Sequence, residues 1–230
     1  LVKRRKEIHE RIGKAIEELY PERLEEFYEM LAHHYSRSEN WEKACQYLKL
    51  AGEKATRSYS NWEAFRFYKE AIKALDRLPD TEENKRRQVE VCILMYSPMM
   101  ALGYPEDSLE ILHEGERLSK ELGDEKSLTN FRWIISCCYA VKGQSLEGIR
   151  YAESAFKQAK EAGDIDQMVP SGFELSANIL NFGEASRAVE VASEVIALLE
   201  KTGRESDYFG RPFNTYSVTL GYCGQAKGML

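Results

Sequence analysis

Four histidines, five cysteines and a dense set of carboxylates are the side chains here that could do chemistry. His33 and His34 are adjacent, with His9 and His113 elsewhere. Neighbouring side chains on a helix diverge by about 100°, because one turn takes ~3.6 residues. The pair therefore reads as one packing and one exposed histidine, and no third metal ligand stands near it in sequence. Cys45, Cys92, Cys137, Cys138 and Cys223 are odd in number and lack any CxxC or CxxxC spacing. They read as reduced, buried thiols of a cytoplasmic protein. Carboxylate pairs such as Glu25 and Glu29 read as solvated helix faces. No GxxxxGK(S/T) phosphate loop occurs, and Gly221–Gly228 lacks its spacing. GxGxxG, HExxH, GxSxG and calcium-loop patterns are absent too. The expectation is a non-enzymatic chain with no catalytic residue, cofactor or metal.

Lys and Arg number 32 against 38 Asp and Glu, a net charge of −6. That field does not favour nucleic acid, which proteins hold through phosphate neutralisation. The run Lys3–Lys6 is followed by Glu7 and Glu10 and reads as a helix start or linker. Apolar runs such as Val91–Met95 and Trp133–Val141 fall well short of the ~18–20 residues a membrane span requires. With 43% hydrophobic and 30% charged residues the composition is globular.

The elements that must position these residues announce themselves by repetition. Gly123, Gly163 and Gly203 are 40 residues apart, and Gly103, Gly143 and Gly183 form a second series with the same period. That series is expected to continue at Gly224, displaced by an insertion near Arg211-Pro212. Each unit reads as helix, glycine turn, helix, glycine turn, since glycine supplies the left-handed residue that closes a helix. Leu146, Ile149, Ala152, Ala155 and Phe156 mark one inner stripe, and Ala188, Val189, Ala192, Val195, Ile196 and Leu199 the next.

Gln88–Ser97, Phe131–Val141 and Asn214–Tyr222 are rich enough in β-branched and aromatic residues to suggest parallel strands. The matching stretch Gly172–Phe182 carries Glu174, Ser176, Asn178 and Asn181, which suits a helix instead. Upstream, a helix from Lys3 to about Tyr20 is expected to break at Gly13. Arg23–Tyr35 is expected to be one helix after Pro21. Asn40 should cap Trp41–Lys54, Ser60 with Glu63 should form a capping box, and Asp80 with Glu83 should start the next helix. Pro98 and Pro170 fall inside expected helices and should kink them or shift their starts.

Leu31, Ala32, Tyr35, Ala44, Leu48 and Ala51, continued by Ala64, Tyr68 and Ala71 with Gly52 at a small position, resemble the tetratricopeptide (TPR) motif. Tyr139, Gly143, Gly148, Ala152 and Ala155, then Gly183, Ala188, Ala192 and Val195, match it more loosely. The segments Arg11–Tyr20, Leu31–Tyr35, Trp41–Ala44 and Leu50–Ala55 are similar to the helical region that follows the ATPase module in STAND-type signalling ATPases. Many of those are fused to class III adenylate or guanylate cyclases, and others to DNA-binding domains. The resemblance implies an all-α, right-handed α-solenoid of TPR-like helix hairpins. Residues 1–80 would follow an upstream module, and 81–230 would be 40-residue repeats with the last one truncated. Leu1 without a preceding methionine reads the same way, as a cut through a longer protein.

In such a solenoid the first helices of successive repeats line the concave face. Counting back from the turn glycines places Asn130, Trp133, Phe173, Asn181, Arg211, Asn214 and Tyr222 there. Glu90, Ile93, Ser97 and Met100 are the corresponding candidates in the preceding unit. Trp133 and Phe173 hold one place in adjacent units, where they either grip a partner or fill the inter-helix core. The expected role is a protein-interaction and regulatory scaffold arm that binds a peptide or protein in the groove. The parent's own ATPase or cyclase domain is a candidate partner, nucleic acid and membrane are not, and a homodimer could form through the C-terminal end. The alternative is small-molecule effector sensing in the same groove, motivated by the helix-interior prolines.

Overall fold

A computed structural model describes residues 2–230. Among the described residues all regular structure is helical. The chain divides into two compact units, Leu1–Leu102 and Gly103–Leu230. The first extends past residue 80 because the following helices still pack on it.

In the first unit α1 (Val2–Leu19) is followed by a 3₁₀ segment (Pro21–Phe27), α2 (Tyr28–Ser38), α3 (Trp41–Arg57), α4 (Asn61–Leu75), α5 (Glu82–Leu94) and α6 (Tyr96–Ala101). Each of α1 to α4 packs on the next, and α5 and α6 both pack on α4. The single helix expected over Arg23–Tyr35 is not formed. Arg23 has φ −130°, outside the helical range, and the Tyr20 and Phe27 rings stack 4.7 Å apart across the 3₁₀ segment. Asn40 caps α3 as expected, accepting from the Lys43 amide at 3.2 Å. Ser60 stands at the start of α4 but its hydroxyl makes no capping bond, and the cap of α5 is Thr81 rather than Asp80. The helix containing Pro98 divides at Met95, so that Pro98 falls in the first turn of α6, where its missing N–H costs little.

Glu17 ties three helices together. Its carboxylate accepts from Tyr35 Oη at 2.8 Å, from Lys43 Nζ at 2.8 Å and from the Tyr47 hydroxyl. Burial pushes this carboxyl up, but the bonds from Lys43, Tyr47 and Tyr35 outweigh it and hold it below the usual range.

The second unit contains α7 (Ser108–Glu121), α8 (Glu125–Val141), α9 (Ser145–Ala162), α10 (Ile165–Phe182), α11 (Ala185–Thr202) and α12 (Thr215–Gly228). Each packs on its successor, and α10 also packs on α8 and α12. The stretches rich in β-branched residues are helices α8 and α12. Their apolar residues meet neighbouring helices instead of a sheet.

The turns explain the 40-residue period. Gly163 at φ 65° closes α9, and the next residue, Asp164, accepts from the Gln167 amide to cap α10. Two residues therefore end one helix and start the next. Gly103, Gly123, Gly143, Gly183 and Gly203 are also left-handed. Gly224 is not: it lies inside α12, with Cys223 and Ala226 buried beside it. The connection from α11 to α12 runs from 203 to 214, and this longer segment ends the strict period.

Other glycines set how closely helices approach. Gly13 does not interrupt α1; it sits under Tyr35, whose Cζ is 2.8 Å from where a Cβ would stand. Gly52 meets Tyr68 at 2.6 Å in the same way, Gly115 lies under Phe131, and Gly172 lies under Val195 and Phe156. Gly52→Ala should therefore destabilise the chain by ~1–3 kcal/mol, the usual cost of overpacking, despite better helix propensity. Gly221→Ala, where a Cβ meets nothing within 4 Å, should instead stabilise by ~0.5–1 kcal/mol. Urea denaturation of the two variants checks the contrast.

Candidate functional site: the first-helix face of the second unit

Helices α8, α10 and α12 are the first helices of successive hairpins, with α10 packed between the other two. Helix α10 is buried almost throughout, from Val169 to Leu180. On two sides it is covered by α9 and α11. The segment from 203 to 214 supplies further cover through Arg211 and Phe213.

Arg211 is 5% exposed. Its Nη1 donates to Glu174 Oε1 at 2.7 Å and its Nη2 to the Pro170 carbonyl at 3.2 Å. The guanidinium carbon lies 4.7 Å from the centre of the Trp133 ring, 4.9 Å from Phe173 and 5.4 Å from Phe213. These distances are within cation–π range, and the attraction is larger where water is excluded. Phe173 also packs edge-on to Tyr222, with ring centres 5.6 Å apart. Trp133 Nε1 donates to Asn130 Oδ1 at 3.0 Å, which orients the indole.

Asn130, Trp133, Phe173, Arg211 and Tyr222 are thus brought into one connected cluster. Trp133 and Phe173 are each 5% exposed, so the aromatic pair forms the walls of a filled pocket rather than an open surface. Asn130 and Tyr222 are half-buried, and Asn181 is exposed at the end of α10. Asn214 stands apart as a structural residue: it caps α12 by accepting from the Ser217 amide and donates to the Glu205 carbonyl. In the first unit, Glu90 is engaged by Lys49 and Met100 by Tyr96. Pro170, expected to open space in its helix, is buried, and its own carbonyl accepts Arg211.

Glu174 and Phe213 were missed as site residues. Glu174 had a signal: it is the one carboxylate in the otherwise apolar or uncharged stretch from 167 to 183. A lone charge in such a stretch implies a buried partner. That the partner would be Arg211, 37 residues on, has no local signature. Close to the pair, burial pushes the Cys137 thiol far up, with Glu174 adding to the shift and Arg211 opposing it. Burial raises Cys138 to about 11. Neither is a thiolate nucleophile at neutral pH.

The histidines converge more than their spacing suggested. His9 from α1 meets His34, with Nδ1 atoms 2.8 Å apart, and His33 packs edge-on against both. The two facing nitrogens share a hydrogen bond, and among the described residues no group of three His, Cys, Asp or Glu is arranged to hold a metal. Among the same residues no helix is long and apolar enough to cross a membrane.

Comparison with solved structures shows what this architecture is. A kinesin light chain from Podospora anserina with nearly identical TPR-like repeats is 15% identical, with a TM-score of 0.64 over 80% of this chain and 85% of that one. The fold is that of TPR-like repeats. The apo form of RapI is 14% identical, with a TM-score of 0.64 over 76% of this chain. The STAND protein with a tetratricopeptide repeat sensor from Pyrococcus horikoshii is 16% identical, with a TM-score of 0.51 over 89% of this chain. This TPR-like chain spans about half of RapI, 47%, and a third of the STAND protein, 33%. No family model and no curated protein matches it.

Two outcomes follow from the buried charges and the histidines. Glu174→Gln leaves the guanidinium buried without its counter-charge and should cost about 3–5 kcal/mol in urea denaturation, whereas Glu174→Leu with Arg211→Met should recover much of that loss. His34 is held below its ordinary value of 6.5 by burial, with His9 and His33 adding to the effect. The unfolded chain therefore binds more protons near that pH, so stability is full above 6.5 and falls as the pH drops through it. In His34→Gln the midpoint of denaturation should vary less with pH across that interval.

Proposed function

We propose that this chain is a protein-interaction and regulatory arm of a larger signalling protein, and that it takes a peptide or protein on the face made by α8, α10 and α12. The observation that carries this reading is the cluster itself. Three first helices stand side by side and converge aromatic rings, amides and a carboxylate on one place, covered by a segment without regular secondary structure. Aromatic residues with a charge-specific group among them are the common anchors of protein recognition. The STAND protein's tetratricopeptide sensor shares the fold, which supports a regulatory arm attached to a signalling ATPase, a cyclase or a transcription regulator. In this reading the arm binds and transmits, and catalysis resides elsewhere in the parent.

Peptides selected from a random-sequence library against the whole chain supply a probe. With a photo-crosslinking side chain at position 181 or 222, the bound peptide should be captured. At Lys157 of α9 or Glu190 of α11, both exposed on second helices, it should not. Capture from 157 and 190 with none from 181 and 222 would place binding on the opposite face and reject the reading.

A further inference from the structure

Arg211 has the environment of a bound ligand more than that of a scaffold residue. Its guanidinium is enclosed by Trp133 and Phe173 from two different helices, neutralised by Glu174 and bonded to the Pro170 carbonyl. Those four partners all belong to α8 and α10. Only Phe213 among the enclosing rings comes from Arg211's own segment.

Besides Arg211, the segment is held by Phe209, half-buried against the unit's apolar core and beneath the Arg204 guanidinium, and by bonds from Asn214 and Thr215 to the Glu205 and Tyr208 carbonyls. Arg204 fastens one end, bonding Asp207 at 2.6 Å and Asp166 at 2.7 Å, and the Asp166 side chain is 58% exposed. Phe209 has φ 50°, a left-handed conformation that a bulky residue adopts at a cost. Tyr208 beside it is exposed. The adjoining turns of the unit, 163–164 and 183–184, need only two residues. The excess chain between α11 and α12 is what carries Arg211 into the cluster.

We infer that the pocket of Trp133, Phe173 and Glu174 is a guanidinium site, occupied in the unbound chain by Arg211 as an internal ligand, and that the partner presents an arginine which takes its place. This rests on the proposal that α8, α10 and α12 form the partner face. At the pocket the partner's arginine regains the Glu174 pair, the Pro170 carbonyl and the Trp133 and Phe173 faces, and forgoes the Phe213 ring, which leaves with the segment. What the partner must overcome is the remaining hold of the segment: its Arg204 bonds, the packing of Phe209 on the core, the Asn214 and Thr215 bonds to its carbonyls, and the Phe173–Phe213 packing at 5.8 Å. A planar guanidinium suits this site better than a lysine ammonium, because it lies flat against rings while donating in its own plane to the carboxylate and carbonyl. The internal occupant also lowers apparent affinity by the fraction of time the pocket stays filled, so the segment acts as a threshold on partner binding.

The test compares acetyl-arginine amide with acetyl-citrulline amide, which has the same shape without the charge. In Arg211→Ala of the whole chain, calorimetry should show one site for the arginine probe. Binding should weaken by about tenfold or more with the citrulline probe, or in Arg211→Ala with Glu174→Gln. The arginine probe should also raise the melting temperature of Arg211→Ala and leave that of the double variant unchanged. Equal binding of the two probes, or binding that survives loss of Glu174, overturns the guanidinium site. In the wild-type chain, where folding is not in question, arginine-containing peptides should speed chymotryptic cleavage at Tyr208 and Phe209 as the segment is released. Library peptides that bind the α8–α10–α12 face without arginine, leaving that cleavage unchanged, would overturn this inference while the partner face stands. Arginine peptides that bind on α9 and α11 would reject both.

Discussion

Two helices can run side by side at the closest range only where one of them offers no side chain at the crossing. Gly13, Gly52, Gly115 and Gly172 provide such points, and a large neighbour fills each: Tyr35, Tyr68, Phe131, and Phe156 with Val195. The rest of each unit follows from that approach. Close hairpins allow turns of two or three residues with a left-handed glycine, and at Asp124 and Asp164 an aspartate then caps the next helix. The even period brings α8 and α10 side by side, so that residues one period apart face the same way, and α12 packs on α10 after the longer connection. Trp133 and Phe173 meet the same guanidinium because this geometry repeats.

The second unit departs from its own rule between 203 and 214, and its most unusual interaction lies there. A buried ion pair is a costly element, since both charges give up water. Arg211 and Glu174 recover that cost through a short charge-assisted bond, a carbonyl and three aromatic faces. An apolar plug would cover the same helices without desolvating any charge. In the proposed function the pair serves as recognition chemistry, and the segment that supplies it links the repeat architecture to partner binding.

Much of this was legible in the residues. The two glycine series located the turns at 103, 123, 143, 163, 183 and 203, because each turn needs a left-handed residue once per helix. The register placed Trp133 and Phe173 on a common face, and the interrupted period pointed to an insertion near Arg211. The features that were not legible have specific causes. Glycine carries two meanings, turn and close approach, and the sequence does not say that Gly13 is a close approach or that Gly224, inside α12 with open space beside it, is neither. The 3₁₀ segment over Pro21–Phe27 shares its apolar spacing with a helix, and the Tyr20–Phe27 stacking that accompanies its break is a contact, not a pattern. Ser60 has the type and spacing of a cap but makes no bond. The Arg211–Glu174 pair joins residues from different repeats, and no periodicity encodes such a pairing.

If partners are taken by the first helices of the second unit, binding must slow amide exchange there. Hydrogen exchange over the whole chain, with and without a saturating library-selected peptide, tests this most directly. Slower exchange is expected in α8, α10 and the start of α12, with α9 and α11 unchanged. Protection confined to α9 and α11, or to α1–α6, would contradict it.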